Sequence, residues 1–421
     1  MKQFLIFCQF FLAVGLQAQH YHANQDTIYT EYIYSVKFYL ENLENTLPLI
    51  ELNSPGQLFL TFDDMDREAR TYFYKVVHCD ADWQPSDLAE NEFVRGFNEG
   101  EIRDFNFSFN TRTQYTNYRV ALPNRDLLFT LSGNYLLHVY ENSTNNAPVL
   151  TRRFMVVEPM MTIEPRMTAV ADVSKYDTHQ EIDFTVDHPN VDIRSPRTEV
   201  TASVLQNGRW DNAITDLRPL LIKPEQMVFD FQNKVTFPAG REFRFADLRS
   251  LRTYSGNVVN IVSNKDGWEV TLRKDRARNN SSFLTQRDLN GNYIIENQDV
   301  AGDNLTRADY ADVLFVLDTG RELWNQDIYL FGGFSDWQIQ PWNQMVWNER
   351  IAAYVGRAFL KQGFYNYAYA TVDRDSGATT LDDIEGNWYE TENQYTILVY
   401  YRPFGARYDR LVAARTFDSI R

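Results

Sequence analysis

Cysteine is almost missing from this 421-residue chain: only Cys8 and Cys79 occur. Cys8 lies in an apolar leader, so the exported product keeps one cysteine and no internal disulfide can staple it. Histidine is scarce too, with six in all, which leaves little from which to assemble an imidazole metal cage. There is no G-x-S-x-G elbow, no HExxH, no P-loop and no GxGxxG, so the common hydrolase, zinc-protease and nucleotide-binding chemistries lack their motifs. Positive charge is in deficit: 41 Lys and Arg face 57 Asp and Glu, a formal net charge of −16. Phosphate backbones repel such a chain, which excludes nucleic acid as its ordinary partner. No long amphipathic helix is visible, and after the leader no apolar run is long enough to span a bilayer as a helix.

What is present begins with an address. MKQFLIFCQFFLAVGLQAQ has one lysine, an apolar run from Phe4 to Leu16 and small Ala18 before Gln19, the pattern of a cleavable secretory signal peptide over residues 1–18. Aromatic residues make up 15% of the chain, mostly Tyr and Phe, and favour β structure. Short alternating segments then recur between turn signals: YIYSVKFYL, LPLIEL, GQLFLTF, TYFYKVV, DFNFSF, YTNYRVAL, NYLLHVYE and VLTRRFMVVE. That spacing predicts a β-sandwich over residues 19–158. Pro159 and Pro165 bracket a boundary. A central β domain is expected over 159–309 and a third, early-set-like sandwich over 310–421. The expected fold class is all-β, with three consecutive immunoglobulin-like modules.

The stretch HCDADWQPSD, His78 to Asp87, has the composition of a metal or catalytic site. Its position argues otherwise. TYFYKVV leads into it as a strand, so His78 points with Tyr72, Tyr74 and Val76 while Cys79 points with Phe73 and Val77 to the opposite face. Such neighbours cannot form a Cys-His dyad. His78, Asp80 and Asp82 would share a face if the strand continued, but about 6.5 to 7 Å apart along it, wide for a tight site. His78, Cys79, Asp80, Asp82 and Trp83 therefore read as structural.

Two charge runs stand out. Arg241 to Arg278 carries nine Lys and Arg against five Asp and Glu, and Asp373 to Glu392 carries seven acids against Arg374 alone. Both suit solvated faces, and Arg241, Arg244, Arg249 and Arg252 are candidates for a basic contact patch. DLNGNY, Asp288 to Tyr293, misplaces the glycine of a calcium loop, and Asn290-Gly291 suits a hairpin turn. Carboxylate pairs such as Asp63-Asp64 are common in an acidic chain and mark no cleft.

YIYSVKFYL, LPLIELNSPGQLFLTFDDMD, YFYKVVHCDADWQPSDL, IRDFNFSFNTRTQYTNYRVALPN, LSGNYLLHVYE and RRFMVVEP closely resemble the plug protein family of the type IX secretion system in Bacteroidetes. The likeness continues in DLNGNY, LFGGFSDW, LKQGFYNYAYA and EGNWYETENQYTILVYYRPFGARYDRL, and HCDADW is among the family's most recognisable stretches. The resemblance implies a soluble periplasmic protein without enzymatic activity or cofactor, monomeric on its own, that docks on a Sov/SprA-type outer-membrane translocon barrel and closes it. The end RTFDSIR resembles neither a barrel's terminal strand nor the sorting domain of type IX cargo. A second resemblance, of the third module to glycogen-binding early-set domains, places Trp337 and Trp388 where sugar-stacking or interface aromatics sit. It implies a carbohydrate-binding accessory protein as the alternative.

Overall fold

The computed structural model describes residues 24–66, 69–141, 148–265 and 267–419. The expected signal peptide lies outside them. The chain is all-β: its described helices are single turns, and no helix among the described residues is long and apolar enough to cross a membrane. The eight segments expected before Glu158 all form strands, as their enrichment in β-branched and aromatic residues favours.

Two sheets face each other in the first unit. One joins Thr27–Ile28, Pro148–Val157, Gly133–Glu141, Tyr72–Cys79 and Glu99–Ile102, with Leu49–Glu51 added in parallel. The other runs Ile33–Leu40, Leu58–Asp64, Thr116–Leu122, Asp104–Phe107. Leu58, Leu60, Phe62, Tyr72, Tyr118, Tyr135 and Phe154 fill the space between them.

Strand pairing divides the rest differently from the sequence expectation. Val200–Gln206 pairs antiparallel with Gln394–Tyr401, which pairs with Arg410–Asp418. The second sandwich is thus built from residues just after Glu158 and from the end of the chain, and its core mixes Ile182, Phe184, Val204 and Phe237 with Tyr395, Ile397, Val399 and Val412. The third unit is inserted between these parts. Its eleven-stranded sheet starts at Arg244–Asp247, well before the expected boundary at 309/310, and surrounds one core that includes Val313, Phe315, Leu330 and Tyr369. The physical reason is that QYTILVYY buries both faces in the second unit and has no free partner in the third.

Candidate functional site

HCDADW sits at the joint between the first two sandwiches. His78 faces the first core, its ring edge-on to Tyr135 at 4.9 Å and Tyr408 at 5.3 Å, with Nδ1 2.8 Å from Ser86 Oγ and Nε2 3.2 Å from the Ser132 carbonyl. Burial pushes its pKa down to about 4, so the imidazole is neutral near pH 7. Cys79 points the other way, into a second cluster with Leu136, Met155, Val157, Leu205, Leu398, Tyr400 and Leu411, drawn from both sandwiches. Burial, followed by Asp80 and Asp82, pushes its thiol up to about 12, which leaves almost no thiolate to react. Gly133 comes so close beneath His78 that a Cβ there would lie 2.6 Å from Nε2, at a φ of +142° that disfavours any side chain.

Past Cys79 the chain turns, with Trp83 in the left-handed region at φ 66° and its ring edge-on to Trp210 of the second unit at 4.9 Å. The turn's polar groups lock onto the loop joining the last two long strands. Ala81 N–H donates to Asp409 at 2.9 Å, Asp409 N–H donates to Asp80 at 3.2 Å, and Arg402 lies 2.5 Å from Asp80 and 3.0 Å from Asp409. Buried Asn134 donates to the Asp80 carbonyl and accepts from the Tyr400 hydroxyl. Asp82 accepts from Gln84 N–H and shapes the turn. No group of three or more metal-ligating side chains occurs among the described residues.

The expected basic patch is internal. Arg241 donates to the carbonyls of Arg278, Ser281 and Ser282; Arg244 pairs with Asp275 at 2.9 Å and Glu385 at 3.0 Å; Arg249 pairs with Asp247 and Glu296. Only Arg252 of the four is exposed. Glu385 comes from the acidic run and also binds Arg278 at 2.5 Å, so the two opposite runs meet across one buried carboxylate. Burial opposes ionisation of Glu385, but Arg244 and Arg278 outweigh it and hold the group below the usual carboxylate range.

Both tryptophans are half-buried and already covered. Trp337 lies among Phe243, Phe331 and the Arg209 guanidinium, 4.8 Å over its ring; Trp388 stacks with Phe283 and carries Arg241 at 4.4 Å. Asn290-Gly291 does form a turn, both residues at positive φ, but Gly291 leads into a strand that pairs with Gly363–Asp373 instead of closing a hairpin, and a Cβ on it would strike Trp337 at 2.1 Å. Asp288 caps this turn by accepting from Phe243 and Asn290 N–H groups, and burial pushes its pKa up to about 6.

Sequence reasoning passed over the contacts between the first and third units. Asp63 and Lys361 pair at 2.6 Å with essentially no exposure. Asp63 also accepts from the Tyr310 hydroxyl at 2.6 Å and Asn117 at 2.7 Å, while Lys361 donates to the Leu305 carbonyl at 2.6 Å. The signal was a carboxylate and an ammonium set inside strand-forming segments, LFLTFDD and AYVGRAFLK, where a lone charge is too costly to bury. A second ion pair, Arg152 with Asp336 at 2.9 Å, borders a cavity of about 330 Å³ at the meeting point of all three units. Lys37, pushed down to about 8 by burial, lines it and donates to the Tyr293 carbonyl. The cavity mixes paired charges with Trp210 and Trp337.

Residues 33–158 match the family model of the type 9 secretion system plug protein 1st domain. No curated protein matches the chain. Among solved structures, a hypothetical protein from Parabacteroides merdae ATCC 43184 is 34% identical, with a TM-score of 0.89, over 94% of this chain and 99% of that one. The likeness spans all three units, so the matched first domain is one part of a three-unit protein.

Proposed function

Because this chain belongs to the type IX secretion plug family, we propose that it is a non-enzymatic periplasmic plug that docks on the outer-membrane translocon barrel and seals its periplasmic mouth. The observation that carries this reading is the way the three units are locked together. The third is inserted into the second, the second is fused to the first through Cys79, Trp83 and Asn134, and the first holds the third through Asp63 and Lys361. Close-packed sandwiches joined at three seams resist deformation, which suits a body that must block a wide pore without yielding to it. The inert thiol, the neutral His78 and the internal pairing of the charge runs support a role without chemistry. Deleting the gene should make cells permeable to antibiotics too large for ordinary porins, and deleting the barrel gene as well should restore the barrier. Unchanged permeability, together with a purified translocon that never retains this protein, rules the reading out.

A further inference from the structure

The first unit leaves one apolar sheet edge open. Asp104–Phe107 is the last strand of its sheet and, among the described residues, pairs only with Thr116–Leu122, and all four of its residues are exposed. The opposite edge, Ile33–Leu40, is treated differently: it bulges at Ser35, and the third unit covers it through Tyr293, whose hydroxyl donates to the Val36 carbonyl. Soluble proteins usually blunt a free edge with lysine, proline or a bulge. None of these interrupts DFNFSF. Phe105, Phe107 and Phe109 instead stand 40%, 58% and 55% exposed.

The register shows what this edge can hold. Ser108 N–H donates to the Tyr115 carbonyl, so in this antiparallel pair the even-numbered residues face the neighbouring strand and the backbone groups of the odd-numbered ones point outward. Phe109 confirms the alternation, since its N–H points out and donates to Thr306 of the third unit, closing that end. Phe105 and Phe107 thus present both a row of backbone donors and acceptors and two aromatic rings. Opposite Tyr118 and Thr116, those rings lie on the core side of the sheet, at the margin where core packing stops. Alternating N–H and C=O groups at strand spacing match an extended polypeptide and no lipid or sugar, while the rings supply apolar contact for alternate side chains. A second copy of this chain would bring another net charge of −16 to the contact, which works against self-pairing.

Resting on the plug reading, we propose that Asp104–Phe107 is the docking strand: an extended segment of the translocon barrel protein adds to it as a further strand of the sheet. The test uses proline, which deletes an N–H. At positions 105 and 107 the lost N–H points away from the protein, so Phe105→Pro with Phe107→Pro removes the docking donors and spares the pairing with Thr116–Leu122. Translocon is purified through a tag on the barrel, and the retained plug is quantified. The wild type and Phe404→Ser, which alters a 92% exposed side chain elsewhere, should be retained equally, and the double-proline protein at least tenfold less while its circular dichroism stays that of the folded wild type. Phe107→Lys provides a second variant if the proline protein unfolds; it should also lose at least tenfold. Wild-type retention of the proline and lysine variants overturns the docking strand and leaves the plug reading intact. A wild type that is not retained overturns the docking strand, and with unchanged permeability of the deletion strain it overturns the plug reading as well. A wild type that is dimeric in solution, with a monomeric proline variant, makes the strand a self-association edge and overturns the proposal.

Discussion

Replacing Lys361 by methionine tests whether the first and third units form one body. Methionine keeps the length and apolar stem of the side chain and deletes only its charge, leaving Asp63 buried without its cation. Removing one partner of a buried ion pair costs about 3 to 5 kcal/mol. Here the low end applies, about 3 kcal/mol, because Asp63 keeps the Tyr310 hydroxyl at 2.6 Å and Asn117 at 2.7 Å, and the Leu305 carbonyl keeps the Tyr115 hydroxyl at 3.2 Å. Asp63→Asn in the same background removes the orphaned charge, so the double variant should be more stable than the sum of the single losses implies, by about 1.5 kcal/mol or more. A three-unit protein need not unfold in one step. The readout is therefore urea unfolding combined with amide exchange at the strand Thr116–Leu122 and the turn Asn304–Arg307, whose protection should fall together in Lys361→Met. A loss under about 1 kcal/mol, or single losses that simply add, would refute the reasoning.

Four further outcomes are expected. Cys79→Ser should fold and dock but lose about 1 to 3 kcal/mol, because it places a hydroxyl in an apolar cluster, and the purified protein should carry no stoichiometric zinc by elemental analysis. His78 is neutral in the fold, with a pKa near 4, and titrates near 6.5 once unfolded, so the unfolded state binds the extra proton in that window. Stability of the wild type relative to His78→Gln should therefore fall by about 2 to 3 kcal/mol as the pH drops from about 6.5 to about 4; the difference is the quantity to measure, since Asp288, raised to about 6, contributes with the opposite sign. Trp337→Ala and Trp388→Ala should lower the melting temperature and leave a glycan array as blank as the wild type; specific glycan binding lost in both would establish the carbohydrate reading. Arg244→Ala should leave Glu385 partly uncompensated and cost about 3 kcal/mol, detectable by thermal unfolding, whereas Arg252→Ala, at an exposed position, should change stability by under about 0.5 kcal/mol.

The strands and the opposed directions of His78 and Cys79 were legible because both depend on local alternation. A period of two states which residues share a face, and that alone separates His78 from Cys79. The pairing of strands was not legible. TEVTASVLQ and QYTILVYY meet nearly two hundred residues apart, and neither sequence contains anything that names the other. The even spacing of strands suggested modules in succession, whereas the fold returns to the second sandwich only after completing the third. The charge runs were misjudged for the same reason: each was weighed against solvent, while their partners were each other, with Arg244 and Arg278 closing on Glu385.

A signal for the joints was nevertheless present in the chain. Gly133–Glu141 is buried at seven of nine positions, and its neighbour TRRFMVV shows little alternation, because this sheet has the first core on one face and the second sandwich on the other. A strand that loses its polar face must be covered twice, which distinguishes an internal sheet from an outer one before any partner is known. By the same logic Asp104–Phe107, which alternates Phe with polar residues yet is exposed at all four positions, carries apolar surface that this chain leaves partly uncovered. The two strands are opposite cases of one rule: Gly133–Glu141 meets its second partner within the molecule, and Asp104–Phe107 presents its unmet edge to another.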